Sequence, residues 1–260
     1  MSVAQRLHSA LVRGTQAPYR RPMRRLLSPV RTILTVVIGV AATLLAAPIA
    51  IVLGRLRPTS PLIDRLARVW SRVWLWASGT SLVIEGQEHV DRNRSHVVIA
   101  NHLSVLDIMV CFLAVPLPIR FLAKKELFSI PILAPAMRAI GIVEVDREAR
   151  SAIHEKVNRQ ARDLVASGRS LIIYPEGTRS RDGSLRPFKK GAFTMAMAGE
   201  IPLLPVTIVG TYEAWPAGKP WVFGGDVKAV IHPPIETAGL EKAETTRLAA
   251  RARDIIASAL

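Results

Sequence analysis

The chain is poor in cysteine, in aromatic residues and in acidic residues. Its 260 residues include a single cysteine, and phenylalanine, tryptophan and tyrosine together make up 5% of the composition. A lone cysteine excludes a disulfide bond within the chain and is typical of proteins kept in a reducing compartment. Neither this cysteine nor the histidines show the spacing of metal ligands, so the sequence predicts no metal site.

The shortage of acidic residues leaves the chain strongly basic. There are 35 lysines and arginines against 20 aspartates and glutamates, which gives a formal net charge of +15. A charge of this size admits two main partners, nucleic acid and an anionic lipid surface. The sequence has no helix-turn-helix, zinc-finger or RNA-binding signature. We therefore predict an anionic membrane surface as the partner, and no nucleic acid.

The N-terminal third carries the case for a membrane. Residues 32–53 include no charged side chain, and the stretch is long enough to span a bilayer. The segment after it predicts a helix in the headgroup layer with tryptophan rings at the interface, the alternative being an amphipathic helix packed on the domain. Its apolar, basic and aromatic residues recur at helical spacing: Leu62, Arg65, Leu66, Arg68, Val69, Trp70, Arg72, Val73, Trp74 and Trp76.

The orientation of the apolar stretch is not set by its flanks. Arginines are almost equally frequent before and after it, so the positive-inside rule gives a single span no preference. Pro48 lies inside the stretch and can bend a helix. We therefore expect a helix pair that enters one leaflet from the cytoplasmic face, with a full crossing as the alternative.

From residue 82 onward, short apolar runs alternate with helical patterns. This alternation predicts an α/β fold, in which a mixed sheet is flanked by helices. Helices are predicted over residues 104–114, 151–167, 191–199 and 241–258. Strands are predicted over residues 82–85, 97–100, 120–123, 142–145, 171–174, 203–209 and 227–231.

A polar cluster follows the second predicted strand. His102 and Asp107 are close in sequence, and their side chains can meet only if His102 lies in the loop and Asp107 in the first turn of the next helix. Ser104 is a suitable N-cap for that helix. A histidine oriented by a carboxylate can remove a proton from a hydroxyl group. The alternative is that Asp107 only completes a capping box and His102 has no chemical role.

A second polar cluster, residues 175–180, follows the predicted strand 171–174. Gly177 permits a tight turn, and Arg179 offers a forked cation suited to phosphate oxygens. Lys124, at the end of another predicted strand, could reach a second oxygen, and Lys189 could add charge to the same pocket. The alternative is a solvated basic loop. A base beside an anion-binding loop predicts an enzyme that acts on a phosphorylated alcohol.

These segments together resemble, in order over residues 82–212, the motifs of the glycerolipid acyltransferase family, typified by 1-acylglycerol-3-phosphate acyltransferases. The first motif, Asn-His-x-Ser-x-x-Asp, is similar to residues 101–107. The second resembles residues 121–147, the third residues 175–191 and the fourth the proline-bearing residues 201–206. One departure is Ala134, where many relatives carry a glycine.

The resemblance implies a glycerol-3-phosphate acyltransferase-like fold and a reaction. An acyl group would pass from a thioester donor, acyl-CoA or acyl carrier protein, to the sn-2 hydroxyl of lysophosphatidate, giving phosphatidate without a cofactor. His102 would be the general base and Asp107 its orienting partner. The alternatives are another lysolipid acceptor, such as lyso-ornithine lipid, and a lipid-binding protein on the same fold. The residues implied in acceptor binding are Lys124, Glu176, Gly177, Thr178 and Arg179.

The predicted organisation has three parts. Residues 1–31 form a basic arm, residues 32–78 form membrane-associated helices, and residues 79–260 form the acyltransferase domain. A cytosolic thioester donor requires that this domain face the cytoplasm, at the inner membrane of the cell or another membrane. Oligomeric state, acyl-chain length and the choice of donor are left open by the sequence.

Overall fold

A computed structural model describes residues 26–145, 159 and 163–260. Within these ranges seven strands form one sheet with the order β1-β7-β6-β2-β5-β3-β4, in which only β6 and β7 are antiparallel neighbours. The predicted α/β fold with a mixed sheet is confirmed. The strands are β1 (Thr80–Glu85), β2 (Val97–Ala100), β3 (Ile119–Lys124), β4 (Val143–Val145), β5 (Ser170–Ile173), β6 (Leu203–Val209) and β7 (Gly225–Ile231).

The helices include two that the sequence patterns did not predict, α4 and α6. Pro135 lies in the first turn of α4, where a missing N–H costs no intrahelical hydrogen bond, so a residue read as a helix breaker is tolerated. The helix predicted over 151–167 lies mostly outside the described residues, although 163–166 are helical. The helices are α1 (Ser28–Leu56), α2 (Pro61–Ala77), α3 (Leu106–Ala114), α4 (Leu133–Ala139), α5 (Gly191–Ala198), α6 (Thr211–Ala214) and α7 (Thr245–Ala257).

The central strand β2 is buried on both faces, as expected of a parallel strand between two helical layers. Its successive side chains point to opposite faces of the sheet. Val98 and Ala100 pack in the cluster that includes α3, while Val97 and Ile99 pack in the cluster that includes α5 and α7. Burying each aliphatic side chain contributes roughly 1.5–3 kcal/mol to the stability of the fold. This packing on both faces holds β2, and with it the start of the polar cluster that follows the strand.

Helix α2 packs on the domain through the face that carries Trp70 and Trp74. Trp70 and Trp74 contact the core, and the Trp70 Nε1 donates a hydrogen bond to Thr43 Oγ1 of α1 at 2.9 Å. A Cβ at Gly39 would lie 2.4 Å from the Trp74 ring, so α1 approaches closely because it has a glycine there. The placement of the tryptophan rings in the headgroup layer stays a prediction: the Trp70 indole is hydrogen-bonded to α1, whereas Trp76 is 72% exposed.

Helix α1 contains the predicted apolar stretch and is packed on α2 and α4. In the described part of the chain it is the one helix long and apolar enough to cross a membrane, by length and composition. Small residues, such as Gly39, Ala47 and Ala50, face the protein, and large apolar side chains from Val30 to Leu56 are exposed. Residues 1–25 of the predicted basic arm lie outside the described residues.

Candidate active site

Both polar clusters lie at the point where the connections of the sheet diverge. The chain leaves β2 through α3 to reach β3 on one side, and leaves β5 to reach β6 on the other side. β2 and β5 are parallel neighbours, so their carboxyl ends share one edge. Such a divergence opens a crevice at the carboxyl ends of the strands, which is the usual place for a ligand site in an open α/β sheet.

His102 and Asp107 form a buried pair in this crevice. His102 Nδ1 lies 2.8 Å from Asp107 Oδ2, and the two residues are 8% and 0% exposed. The same Asp107 oxygen accepts backbone hydrogen bonds from Leu103 at 2.7 Å and Ser104 at 2.8 Å. Since the carboxylate can only accept, Nδ1 carries the hydrogen, and Nε2 is left with a lone pair that can take a proton.

Asp107 contacts the backbone at the start of the helix as well as His102, so its two predicted roles are not alternatives. Helix α3 begins at Leu106, two residues after the predicted start, and Val105 is its N-cap. Ser104 Oγ still accepts a hydrogen bond from the Leu106 N–H at 3.2 Å and donates one to the Trp215 carbonyl at 2.7 Å. Asp107 therefore anchors the helix start and orients the imidazole with one oxygen.

Glu176 joins the two clusters through backbone groups. Its Oε1 accepts a hydrogen bond from the His102 N–H at 2.7 Å, and its Oε2 accepts one from the Arg186 N–H at 2.9 Å. Burial raises the pKa of this carboxyl group, while the two amide hydrogen bonds act in the opposite direction. The Ser180 N–H also donates to the His102 carbonyl at 2.8 Å. Glu176 thus shapes the site by holding the histidine loop, with both carboxylate oxygens engaged.

Tyr174 is a residue of the site that the sequence analysis did not assign. Its ring stacks on the His102 imidazole, with centroids 3.9 Å apart and planes 11° apart. Its hydroxyl donates to Cys111 Sγ at 3.6 Å, and burial raises the pKa of the tyrosine and raises that of the thiol to about 12. The sequence signal that could have identified Tyr174 is its position directly after β5, at the same end of the sheet as the polar residues that follow β2.

The predicted anion-binding side chains lie at the same edge and face solvent. Lys124 ends β3, and Thr178 and Arg179 are exposed on the turn after β5, with no hydrogen-bond or ion-pair partner found in the described part of the chain. Gly177 has a φ of +74°, and a Cβ there would lie 2.9 Å from Lys189 Nζ. The glycine therefore allows both the turn and the approach of the lysine.

The structure describes only part of the second family motif, residues 121–147. Asp146 and Arg147 lie outside the described residues. Ala134, the departure from the family pattern, is buried in the first turn of α4 and packs with Phe128 and Met137. Over the residues that the structure describes, no three histidine, cysteine, aspartate or glutamate side chains are grouped as metal ligands would be.

Comparison with known proteins relates this geometry to one family. Residues 81–209 match the family model described as Acyltransferase. The chain is 35% identical over 231 residues to a chloroplastic 1-acyl-sn-glycerol-3-phosphate acyltransferase of Brassica napus, covering 85% of this chain and 65% of the relative. It is 30% identical to a 1-acyl-sn-glycerol-3-phosphate acyltransferase of Borreliella burgdorferi, covering 75% of this chain and 78% of the relative.

A solved structure has the same architecture. The crystal structure of the 1-acyl-sn-glycerophosphate acyltransferase PlsC from Thermotoga maritima matches with a TM-score of 0.77 and 26% identity, over 90% of this chain and 94% of that one. The match to curated relatives is less complete. The chain spans 65% of the length of the Brassica napus relative and 56% of that of a Cocos nucifera relative.

Proposed function

The chain belongs to the acyltransferase family of enzymes, and we propose that it acylates the sn-2 hydroxyl of lysophosphatidate to give phosphatidate. The observation that carries this proposal is the buried His102–Asp107 pair, with three hydrogen bonds on one carboxylate oxygen. Such a pair supplies a base of fixed orientation beside a loop with exposed cations. Relatives named for this reaction are 30–35% identical to the chain, which supports the same choice of acceptor.

In the proposed reaction, His102 Nε2 takes the proton of the acceptor hydroxyl as the oxygen attacks the thioester carbonyl carbon. The new C–O bond forms, the C–S bond breaks, and the proton passes from the imidazolium to the leaving thiolate. The products are the diacyl lipid and a free thiol, and no covalent acyl-enzyme is formed. Asp107 stabilises the positive charge that develops on the imidazole. General-base catalysis of this kind typically contributes about 10²–10⁴-fold to the rate.

The acceptor phosphate is assigned to Arg179, Lys124 and Lys189. Phe121 of β3 pairs with Ile172, and Ile99 of β2 pairs with Ile173, so Lys124 and His102 leave the sheet at neighbouring levels. A phosphate held by these cations would bring a hydroxyl of the same glycerol within reach of the base. The donor is an acyl thioester, on coenzyme A or on acyl carrier protein.

The reaction is tested with purified protein in detergent, given acyl-CoA and either lysophosphatidate or lyso-ornithine lipid, while thiol release and diacyl product are followed together. We expect turnover of lysophosphatidate that is abolished in His102→Ala and kept in His89→Gln. His89 is the matched control because it follows β1, at the opposite edge of the sheet. Turnover of only the other lipid would overturn the choice of acceptor. No turnover with either acceptor, on coenzyme A or acyl carrier protein, would overturn the reaction.

The role of Arg179 needs a separate comparison. We expect Arg179→Ala to raise the KM for lysophosphatidate and to leave the KM for a lysolipid without a phosphate unchanged. Arg181→Ala is the control, since Arg181 is exposed on the same loop. An equal loss with every acceptor would assign Arg179 to the structure of the loop instead.

We also propose that α1 and α2 enter one leaflet from the cytoplasmic side. Large apolar side chains are exposed along α1, and Ile130 and Ile132, between β3 and α4, are 44% and 47% exposed. A long helix with this many exposed large apolar side chains is typical of membrane contact. Protease added outside intact spheroplasts should leave residues 1–20 uncut, and should cut them after lysis. Cleavage in intact spheroplasts would overturn this topology.

A further inference from the structure

A basic cavity lies at the sheet edge opposite the His102–Asp107 pair. It has a volume of about 380 Å³ and lies between the start of α2, the loop before β3 and the turn before β5. The catalytic residues follow the carboxyl ends of β2 and β5, whereas this cavity lies at the amino ends of β3 and β5. It is therefore separate from the acceptor site. Its main lining residues are Asp64, Arg65, Arg68, Pro116, Pro118 and Arg169.

The charges around the cavity are unbalanced. Arg65, Arg68 and Arg169 line it with one carboxylate, Asp64, which already accepts a hydrogen bond from the buried Arg120 Nη1 at 2.6 Å. In the part of the chain that the structure describes, no carboxylate lies within ion-pair distance of the three lining arginines. Burial, and to a smaller extent the neighbouring Arg120, lower the pKa of Arg169, while Asp64 acts in the opposite direction.

Two of the three arginines are hydrogen-bonded to the walls of the cavity, and Arg68 Nη2 donates to the Val115 and Leu117 carbonyls at 3.5 Å. Proline fixes the backbone on two sides, at Pro61 and in the loop 116–118. Arg169 Nη1 also donates to Ser167 Oγ at 3.1 Å, and its Nη2 donates to the Pro58 carbonyl. Guanidinium groups that line one cavity suit the oxygens of a phosphate group by charge and by their forked donors.

The surroundings of the cavity combine this charge with apolar surface. Leu56, the last residue of α1, is 76% exposed, and Leu62, in the first turn of α2, is 45% exposed. Arginines beside exposed leucines suit a lipid whose headgroup is anionic and whose chains are apolar. A volume of this size is also in the range of small-molecule sites, so that a headgroup larger than phosphate would fit.

We propose that this cavity is a second phosphate-binding site, distinct from the acceptor site, which takes the phosphate of an anionic membrane lipid or free phosphate. The proposal rests on the cavity and its charges, and does not depend on the reaction proposed above. A bound phosphate would offset the repulsion among the three arginines and would join α2 to the turns before β3 and β5.

The first test measures thermal unfolding in detergent with inorganic phosphate, against sodium chloride of the same ionic strength. A ligand that binds the folded state raises Tm with its concentration. We expect phosphate to raise the Tm of the wild-type protein and not that of Arg65→Gln/Arg169→Gln. Because each variant is compared with its own Tm in chloride, a loss of stability from the substitutions does not affect the result.

The matched control is Arg55→Gln/Arg72→Gln, which removes two exposed arginines, one in α1 and one in α2, that do not line the cavity. It should keep the phosphate-dependent rise in Tm. An equal loss of the phosphate-dependent rise in Tm in both double variants would show that phosphate acts through the general surface charge, and would overturn the proposal. No rise in the wild-type protein, together with no response to lipid, would overturn it as well.

The second test distinguishes the two sources of phosphate. Binding to phosphatidylcholine vesicles is compared with binding to vesicles that also carry about one fifth phosphatidylglycerol, an anionic lipid. If lipid is the source, the anionic lipid strengthens vesicle binding by the wild-type protein. Vesicle binding by Arg65→Gln/Arg169→Gln should then be strengthened less than that of the control variant, by about fivefold for each arginine replaced. A rise in Tm with inorganic phosphate and equal vesicle binding by both double variants would support the cavity as a site for free phosphate.

Discussion

Replacing Asp107 with asparagine tests the catalytic reasoning most directly. Three N–H donors point at Asp107 Oδ2, from the His102 ring and from the backbone of Leu103 and Ser104. The asparagine oxygen must therefore take that position, and the amide nitrogen must take the position of Oδ1. Oδ1 is buried and has no hydrogen-bond partner in the described residues. The variant thus keeps the orientation of the imidazole and loses the negative charge.

The size of the effect follows from the charge that is lost. A full charge about 4 Å from the imidazolium contributes about 4 kcal/mol at an effective dielectric constant of about 20. That corresponds to about a 10³-fold fall in kcat, since about 1.4 kcal/mol changes a rate tenfold. KM should not change, because Asp107 is 0% exposed and cannot touch the acceptor. The unpaired amide hydrogens should lower the stability by about 1–3 kcal/mol.

Initial rates of thiol release at several lysophosphatidate concentrations separate kcat from KM, and circular dichroism gives the stability of each variant. Asp182→Asn is the matched control. One oxygen of Asp182 also accepts three hydrogen bonds, from Ser180 Oγ and from the N–H and Oγ of Ser184, but it does not contact His102. A folded Asp107→Asn protein with kcat within about threefold of wild type, or with a raised KM and normal kcat, would refute the assignment of Asp107.

Three further substitutions have defined outcomes. Tyr174→Phe keeps the ring on His102 and should leave kcat nearly unchanged, whereas Tyr174→Leu removes a stack of about 0.5–1.5 kcal/mol and should lower kcat about 2- to 12-fold at constant KM. Gly177→Ala should cost about 1–2 kcal/mol at a φ of +74° and, by displacing Lys189, raise the KM for lysophosphatidate. Burial raises the pKa of the Cys111 thiol to about 12 in the folded state, so the folded protein keeps this proton at a pH at which the unfolded chain loses it. The thiol therefore contributes its full stabilisation below the pKa of the unfolded chain, and this stabilisation falls as the pH rises above that pKa. Denaturant unfolding should therefore show wild type losing stability relative to Cys111→Ala as the pH rises above about 8.5, with a slope that approaches about 1.4 kcal/mol per pH unit near pH 10.

The sheet and the contact between His102 and Asp107 have signals that are local in the sequence. Each strand of the sheet coincides with a short apolar run, and the predicted strand ends are within about two residues of those observed. Helix geometry showed that His102 and Asp107 can meet if one lies in the loop and the other in the first turn of the helix, and the resemblance to the acyltransferase family decided for this pair over a capping role alone. Each polar cluster was predicted to follow a strand, but the adjacency of these two strands was not predicted.

Contacts between segments distant in sequence could not be predicted in this way. Glu176 binds the His102 N–H across 74 residues, and Tyr174 stacks on the same ring, because β2 and β5 are neighbours in the sheet. Trp70 lies in a segment with the amphipathic spacing of an interfacial helix, but its indole donates a hydrogen bond to Thr43 of α1. In each of these cases the partner is set by strand order or helix packing, which a residue pattern does not encode.

Residues 211–225 connect helix α1 with the loop that carries His102. Thr32 Oγ1 of α1 accepts a hydrogen bond from the Val222 N–H at 2.9 Å, and Ser104 Oγ donates one to the Trp215 carbonyl at 2.7 Å. Backbone hydrogen bonds join the two ends of the segment 211–225, and the Ser104 N–H donates to Asp107. A movement of α1 against the sheet must break these bonds or carry the histidine loop with it. The membrane contact proposed for α1 would therefore fix the orientation of the catalytic pair relative to the bilayer through folded contacts, without any flexible linker.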